Sequence, residues 1–313
     1  MVQPKLNFGV DLVTFHHPKF WGVEDYEGIT QKAEATPGLF WDTILDAVAE
    51  AGIKGIELTF APFDWEGAVN AYGTAEAFSE AMTSRDLTLC SGFFVDLANF
   101  APGDDETGLT DRAVSYAKFL RAGGADIMVT GLPMRQTPAL SATQPYDLEA
   151  AQALAGLVHR IAKAVAECGV RLALHTEAHS VFAAARDVDL MMLLTDPADV
   201  HMCPDTAHLI LMGGDPIQIV DRHHERMIIA HWKDAIGPMP ADTPIDADIH
   251  DRHRPYFCGF GLGRVDWPAW MRLLNTRGYQ GWAILELDAA PDPVGDLKRG
   301  LTFVRQALLP ITS

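Results

Sequence analysis

Eight times along the chain a short apolar run of β type gives way to a longer helical pattern, and this alternation restricts the fold more than any other feature. Runs of that kind, each followed by an amphipathic segment, call for a parallel sheet whose strands are joined by covering helices. The runs are Leu6–Phe15, Lys54–Phe60, Leu87–Phe94, Asp126–Thr130, Arg171–Thr176, Val200–Pro204, Ile228–Trp232 and Trp282–Leu287. Helical patterns are predicted at Leu39–Ala51, Thr74–Arg85, Leu109–Ala122, Asp147–Cys168, Val188–Thr195, Pro216–Arg222, Trp267–Thr276 and Pro293–Leu308. Several stop at a glycine just before the next run, as at Ala51-Gly52 and Cys168-Gly169, the habit of left-handed C-caps. Eight is the strand number that closes a (β/α)8 barrel. The expected fold class is therefore α/β, a (β/α)8 TIM barrel, with residues 1–313 as a single domain.

Composition narrows the function classes. With 48% hydrophobic residues there is material for a large core, and a net charge of -18 opposes a broad nucleic-acid footprint. The four cysteines, Cys90, Cys168, Cys203 and Cys258, form no C-x-x-C pair and read as buried or incidental thiols. The N-terminus shows no basic-then-apolar signal and no apolar run reaches membrane-spanning length. A soluble, cytoplasmic protein without nucleic-acid or membrane partners is expected.

Long loops are predicted at about 16–36 and 234–263, with a third at Ala61–Trp65, all leaving the C-terminal ends of strands. Barrels of this kind carry their chemistry on that face, where long loops serve as lids or pocket walls. The aromatics Phe15, Phe20, Trp21, Phe63 and Trp65 either form an apolar floor for a sugar ring or pack beneath the loops.

In a closed parallel barrel the strands should read as continuous apolar runs, because both faces are buried. Against that background four successive strands end in an ionisable group: Glu177, Asp205, His231 and Glu286. Glu286, inside Ala-Ile-Leu-Glu-Leu, is hard to explain as a solvated face. His231 alone would serve as a core histidine, and Asp205 alone as a cap for the following turn. Together, on neighbouring strands, they converge on one point. Three carboxylates and an imidazole would hold a divalent cation, and the hard oxygen donors favour manganese or magnesium over zinc.

These residues sit in a series of short motifs: Ala51-Gly-Ile-Lys-Gly55-Ile-Glu57-Leu, Glu177-Ala-His179, Asp205-Thr-Ala-His208, His231-Trp-Lys233-Asp234, Gly261-Leu-Gly263-Arg-Val-Asp266-Trp267 and Glu286. In this order they resemble the sugar phosphate isomerase/epimerase family of the xylose-isomerase-like TIM barrel superfamily. The resemblance implies one metal ion, manganese first with magnesium or cobalt as alternatives, held by Glu177, Asp205, His231 and Glu286. It implies that His208 contacts a substrate oxygen and that Glu177 and Glu286 double as bases. His179, Arg252, Arg254 and Trp21 are further candidates for substrate contact. His175 shares a strand face with Glu177 where many relatives carry an aliphatic residue. It is expected either to act as a separate base, leaving Glu177 as a ligand, or to hydrogen-bond Glu177.

The expected activity is metal-dependent isomerisation or epimerisation of a sugar or keto-sugar by proton abstraction beside a carbonyl. The alternative is a lyase whose enolate expels a β-substituent, as in relatives that cleave 3-keto-glycosides, including C-glycosides, some with a small partner subunit. A non-catalytic sugar-binding barrel is a third reading. Asp251-Arg252-His253 resembles a ligand pair of apurinic-site endonucleases. However, the second and third strands end in Thr59-Phe60-Ala61 and Phe93-Phe94-Val95-Asp96, without the histidines those enzymes need. The partners expected are a small sugar or glycoside and, from an apolar barrel exterior, a second copy of the chain.

Overall fold

The computed structural model describes residues 6–135 and 146–311. Met1 to Lys5, which belong to the N-terminus read above as lacking a signal, lie outside the described residues. Eight parallel strands run Leu6–Asp11, Gly55–Leu58, Thr88–Phe93, Ile127–Thr130, Arg171–His175, Val200–Cys203, Ile229–Trp232 and Gly281–Leu285. Each pairs with its neighbour in sequence order, and the first pairs with the eighth, Phe8 opposite Ala283. Parallel bridges Met202–Met227 and Asp205–His231 join the sixth strand to the seventh and close the ring. The fold is a (β/α)8 barrel, each predicted run supplying one strand.

Two apolar layers hold it. Inside the ring, Cys90, Ile127, Val129, Ala173, Cys203, Ile229 and Ile284 fill the lower barrel. Outside, the helices lay their apolar stripes on the strands. Pro37–Ala51, for example, buries Phe40, Trp41, Ile44, Leu45 and Val48, and ends on Gly52 at φ +80°, a value that spares glycine the side-chain clash. The Trp282 indole lies against Gly55 at the start of the second strand. A Cβ on Gly55 would come within 2.4 Å of the Trp282 ring, so this position in the second strand has to be glycine.

The loop expectations are amended. Segment 16–36 carries two helices, Pro18–Trp21 and Tyr26–Ala35, started by side-chain caps from His17 and Asp25. Segment 234–263 carries a two-residue hairpin, Asp234–Ala235 against Phe257–Cys258, and a short helix, Ile249–His253. These helices are short, and Tyr26–Ala35 buries only Ile29 and Ala33, so no periodic apolar face marks them in the sequence. Helices Trp65–Tyr72 and Thr206–Leu211 were likewise not predicted; Asp64 caps the first and Asp205 the second.

The return of the long segment is tied to Asp234. Its buried carboxylate accepts the backbone N–H of Gly261 (2.9 Å), Gly263 (3.1 Å) and Val265 (3.2 Å), and the indole N–H of Trp267 (2.9 Å). A Cβ on Gly263 would come within 2.2 Å of that carboxylate, and Gly261 sits at φ +78°. The Gly-x-Gly-x-x-Asp-Trp motif is thus a clasp for the segment. Among the described residues, no helix is long and apolar enough to cross a membrane.

Candidate metal and acid–base site

A cavity of about 440 Å³ opens at the C-terminal end of the barrel, and the expected ionisable residues gather at its floor and one wall. Three strands contribute a pair of residues at i and i+2, the spacing that keeps both on one side: His175 and Glu177, His231 and Lys233, Glu286 and Asp288 all line it. The first of each pair sits at or beside the strand end. The second lies two residues further toward the mouth.

The inner members meet Asp205, which is fully buried beneath the cavity and caps helix Thr206–Leu211 by accepting the His208 N–H at 2.9 Å. Donor atoms of His175, Asp205 and His231 all lie within 4.8 Å of one another. His175 Nε2 is 3.6 Å from Asp205 Oδ2, and His231 Nδ1 is 2.7 Å from Glu286 Oε2. On its other side His231 Nε2 is 2.7 Å from Oε1 of Glu57, a carboxylate on the second strand that reaches across the barrel and takes the Ser91 hydroxyl on its other oxygen.

None of the three imidazole–carboxylate approaches has hydrogen-bond alignment. Both ring nitrogens of His175 and of His231, Asp205 Oδ2, Glu286 Oε2 and Glu57 Oε1 are buried without a hydrogen-bond partner. Buried polar atoms are seldom left so, and a convergent set of imidazole and carboxylate lone pairs is the chemistry of a cation site.

The outer members form a second layer, nearer the mouth. Glu177 Oε1 lies 3.4 Å from His208 Nδ1 and 3.7 Å from His253 Nδ1, while its Oε2 is 3.4 Å from His175 Nδ1. Glu177, His208 and His253 form a second group of mutually close donor atoms. His208 Nδ1 already accepts the Ala178 N–H at 3.1 Å, which places the ring proton on Nε2. Burial opposes ionisation of Glu177, but the surrounding His208, His175 and His250 rings hold it well below the usual carboxylate range. Burial takes His208 down to about 4 against the pull of Glu177 and Asp205, and His253 to about 2, with His208 pushing the same way.

On the other side of the His208 ring from Glu177, Lys233, 1% exposed, donates to Glu286 at 2.6 Å, pairs with Asp288 and stands 3.9 Å over the Phe257 ring. Its burial would lower its pKa, but Asp288 and Glu286 outweigh that and keep the ammonium charged. Desolvation raises Asp288 to about 7 despite Lys233, with Glu286 pushing it further up.

The expected substrate contacts divide. His208 and Arg254 line the cavity; Trp21, His179 and Arg252 do not. Trp21 is core: it donates its indole N–H to the Phe15 carbonyl at 2.8 Å and stacks on Phe40 at 4.1 Å. His179 bonds His253 through ring nitrogens 2.9 Å apart, pinning helix Ile249–His253 to the barrel. Arg252 is held on the surface by Asp246 at 2.5 Å. Of the five aromatics weighed as a floor, none lines the cavity; Phe60 and Phe93 do. Lys233 and Glu57 stand in motifs quoted from the sequence without a role of their own, and Asp288 was not singled out, although Lys233 and Asp288 follow His231 and Glu286 at the same two-residue step as Glu177 follows His175.

Residues 45–307 match the family described as xylose isomerase-like TIM barrel. The chain belongs to that family. Inosose dehydratase of Lacticaseibacillus casei is 24% identical over 267 residues, covering 80% of this chain and 83% of the relative. The structure of the IolI protein with a bound zinc atom superposes with a TM-score of 0.72 at 13% identity, over 98% of this chain and 100% of that one. A probable 3-DHS dehydratase from Bacillus anthracis reaches a TM-score of 0.69 at 13% identity, over 96% and 100%. The chain is an enzyme of the xylose isomerase-like superfamily, whose members similar to it include dehydratases and epimerases.

Proposed function

We propose that this enzyme is a divalent-metal-dependent lyase that removes water from a polyhydroxy ketone, a keto-sugar or keto-polyol, by abstracting the proton next to the carbonyl. The observation that carries this reading is the layered floor of the cavity. The inner layer is the convergent set His175, Asp205 and His231, with Glu286 Oε2 2.7 Å from His231 Nδ1, each offering at least one buried atom without a hydrogen-bond partner, and the outer layer is Glu177, Lys233 and Asp288. Similarity to inosose dehydratase supports elimination as the outcome.

In this assignment the cation is held by His175, Asp205, His231 and Glu286. When bound it supplies Lewis acidity toward a carbonyl and its neighbouring hydroxyl. Two nitrogens and two carboxylates make a softer set than the three-carboxylate site expected from sequence, so zinc and cobalt join manganese as suitable ions while magnesium loses ground. Glu177, ionised and open to the cavity, takes the proton from the carbon beside the carbonyl. The electron pair moves to form the enolate, the β carbon–oxygen bond breaks, and the departing hydroxyl accepts a proton to leave as water. The His208 Nε2–H, beside Lys233, is placed to position that oxygen, and Asp288 or Lys233 delivers the proton.

A second reading, isomerisation or epimerisation, is supported by one observation: two acid–base groups line the cavity on either side of the His208 ring, Glu177 next to its Nδ1 and Lys233, paired with Asp288, next to its Nε2. That arrangement also suits removal of a proton from one face and its return to the other. Incubation of metal-loaded enzyme with inososes and keto-hexoses in heavy water separates them. Loss of water with a new enone or dione chromophore supports the lyase, and deuterium in a recovered isomer or epimer supports the second reading. No exchange with any ketone sinks both.

A further inference from the structure

Glu57 is a buried charge that the reaction leaves unused. It sits on the second strand, 0% exposed, and does not line the cavity, so it touches no substrate. A carboxylate taken out of water is costly unless it finds partners, and the fold supplies two. The third strand slips by one residue against the second: Ile56 pairs with Leu89 and Glu57 with Ser91, leaving Cys90 between them. Such a bulge re-aims side chains, and this one sets the Ser91 hydroxyl opposite Glu57, where it donates to Oε2. The other oxygen, Oε1, is buried without a hydrogen-bond partner and lies 2.7 Å from Nε2 of His231, a nitrogen equally unpartnered. Asp11, opposite Glu57 on the first strand, is committed elsewhere: its carboxylate caps the following turn through the Val13 N–H at 2.7 Å.

A neutral imidazole that offers one nitrogen to a cation carries its proton on the other, and that proton needs an acceptor. The two nitrogens of His231 face unlike carboxylates. Nδ1 is 2.7 Å from Oε2 of Glu286, which lines the cavity; Nε2 is 2.7 Å from Oε1 of Glu57, which does not. The lone pair therefore belongs on Nδ1, where cation and substrate can meet, and the proton on Nε2. Resting on the metal-site reading above, we infer that Glu57 is a positioning residue: its Oε1 takes the His231 Nε2 proton and fixes the tautomer that offers Nδ1 to the cation, while Ser91 holds the carboxylate in place. A carboxylate behind a metal-bound imidazole orients the ring and raises its basicity. The close group Asp11, Glu57 and His231 is on this account the backing of the cation floor and not a second cation site.

The test reads cation affinity, so it does not depend on turnover. Metal-stripped protein is titrated with manganese and with zinc in a calorimeter, and urea unfolding of the same metal-free samples measures stability. Glu57→Leu leaves the Nε2 proton without an acceptor and should bind both ions about 10- to 100-fold more weakly than the unchanged protein. Glu57→Gln keeps an oxygen for Nε2 and turns its amide to Ser91, so it should recover most of that loss. Ser91→Ala keeps Glu57 but frees one of its oxygens, and a severalfold weakening there upholds the inference even where the leucine variant does not fold. A folded Glu57→Leu that loses stability and keeps its affinity makes Glu57 a structural partner only and overturns the inference. A glutamine variant as weak as the leucine one overturns it too, because His231 would then need the charge and not the acceptor. Failure of the metal reading looks different: an unchanged protein that binds neither ion removes the cation floor, and this positioning role with it.

Discussion

His175 and Glu177 show how far two residues on one strand face can differ in role. From sequence the pair is symmetric, and the resemblance makes Glu177 the ligand. The fifth strand ends at His175, and the ring meets Asp205 and His231, while the Glu177 carboxylate lies beyond the strand among His208, His250 and His253. The assignment predicts that His175→Ala purifies with its metal content reduced at least about tenfold. Glu177→Gln should keep the metal and lose about a hundredfold or more in kcat, the scale of a missing general base. Metal analysis of both variants decides: equal loss from the two would return Glu177 to the ligand set. Lys233 offers a second check. Lys233→Met leaves Glu286 and Asp288 buried without their cation, so it should destabilise the fold by about 3–5 kcal/mol, measured by urea unfolding. A change under about 1 kcal/mol would mean that the carboxylates are not held by the ammonium.

At the scale of elements, the barrel was legible because buried parallel strands must be apolar on both faces, and all eight runs stand out on that ground. The covering helices were legible by their stripes, such as the run of buried residues along Leu148–Ala166. The helices over the cavity were not, because they are short and bury little, so no apolar period marks them. Position Trp21 was misread for a related cause: an aromatic in a loop looks the same in sequence whether it faces ligand or core. The five carboxylate and imidazole positions at strand ends could be found, but which of two neighbours reaches a cation depends on where the strand stops. The Asp234 clasp belongs at this scale too. Asp234→Ala removes an acceptor shared by five N–H donors, four of them on the returning segment, and charged acceptors of that kind are worth about 1.5–3 kcal/mol each, not additively. The variant should be cut by protease between residues 236 and 260 well before the barrel is, and KM should rise more than kcat falls. Unchanged proteolysis would remove the clasp from the account.

For the whole molecule, the buried imidazoles link stability to acidity. His208 and His253 have folded values of about 4 and 2, against about 6.5 in an unfolded chain. Below pH 6.5 these two rings in the unfolded chain therefore bind protons that the folded ones refuse, and the stability they contribute is lost as pH drops from about 6.5 toward 4. Glu177, held low, acts in the same direction below its own unfolded value. Asp288, raised to about 7, and His175 and His231, raised despite their burial, act in the opposite direction, so the contribution is read by difference: the change in thermal midpoint between pH 6.5 and 4 should be less destabilising in His253→Gln than in the unchanged protein, and an equal change would show that ring to be solvated. Removing the cation with a chelator should lower the midpoint and abolish turnover, with manganese, cobalt or zinc restoring both and magnesium restoring little. The clasp has an evolutionary corollary at this scale. Because Asp234 fastens both feet of the 234–263 segment to the barrel rim, what lies between them can be rewritten without disturbing the strands. The roof over the pocket is in effect a replaceable cassette, and a lineage could change what it admits while leaving the floor that does the chemistry untouched.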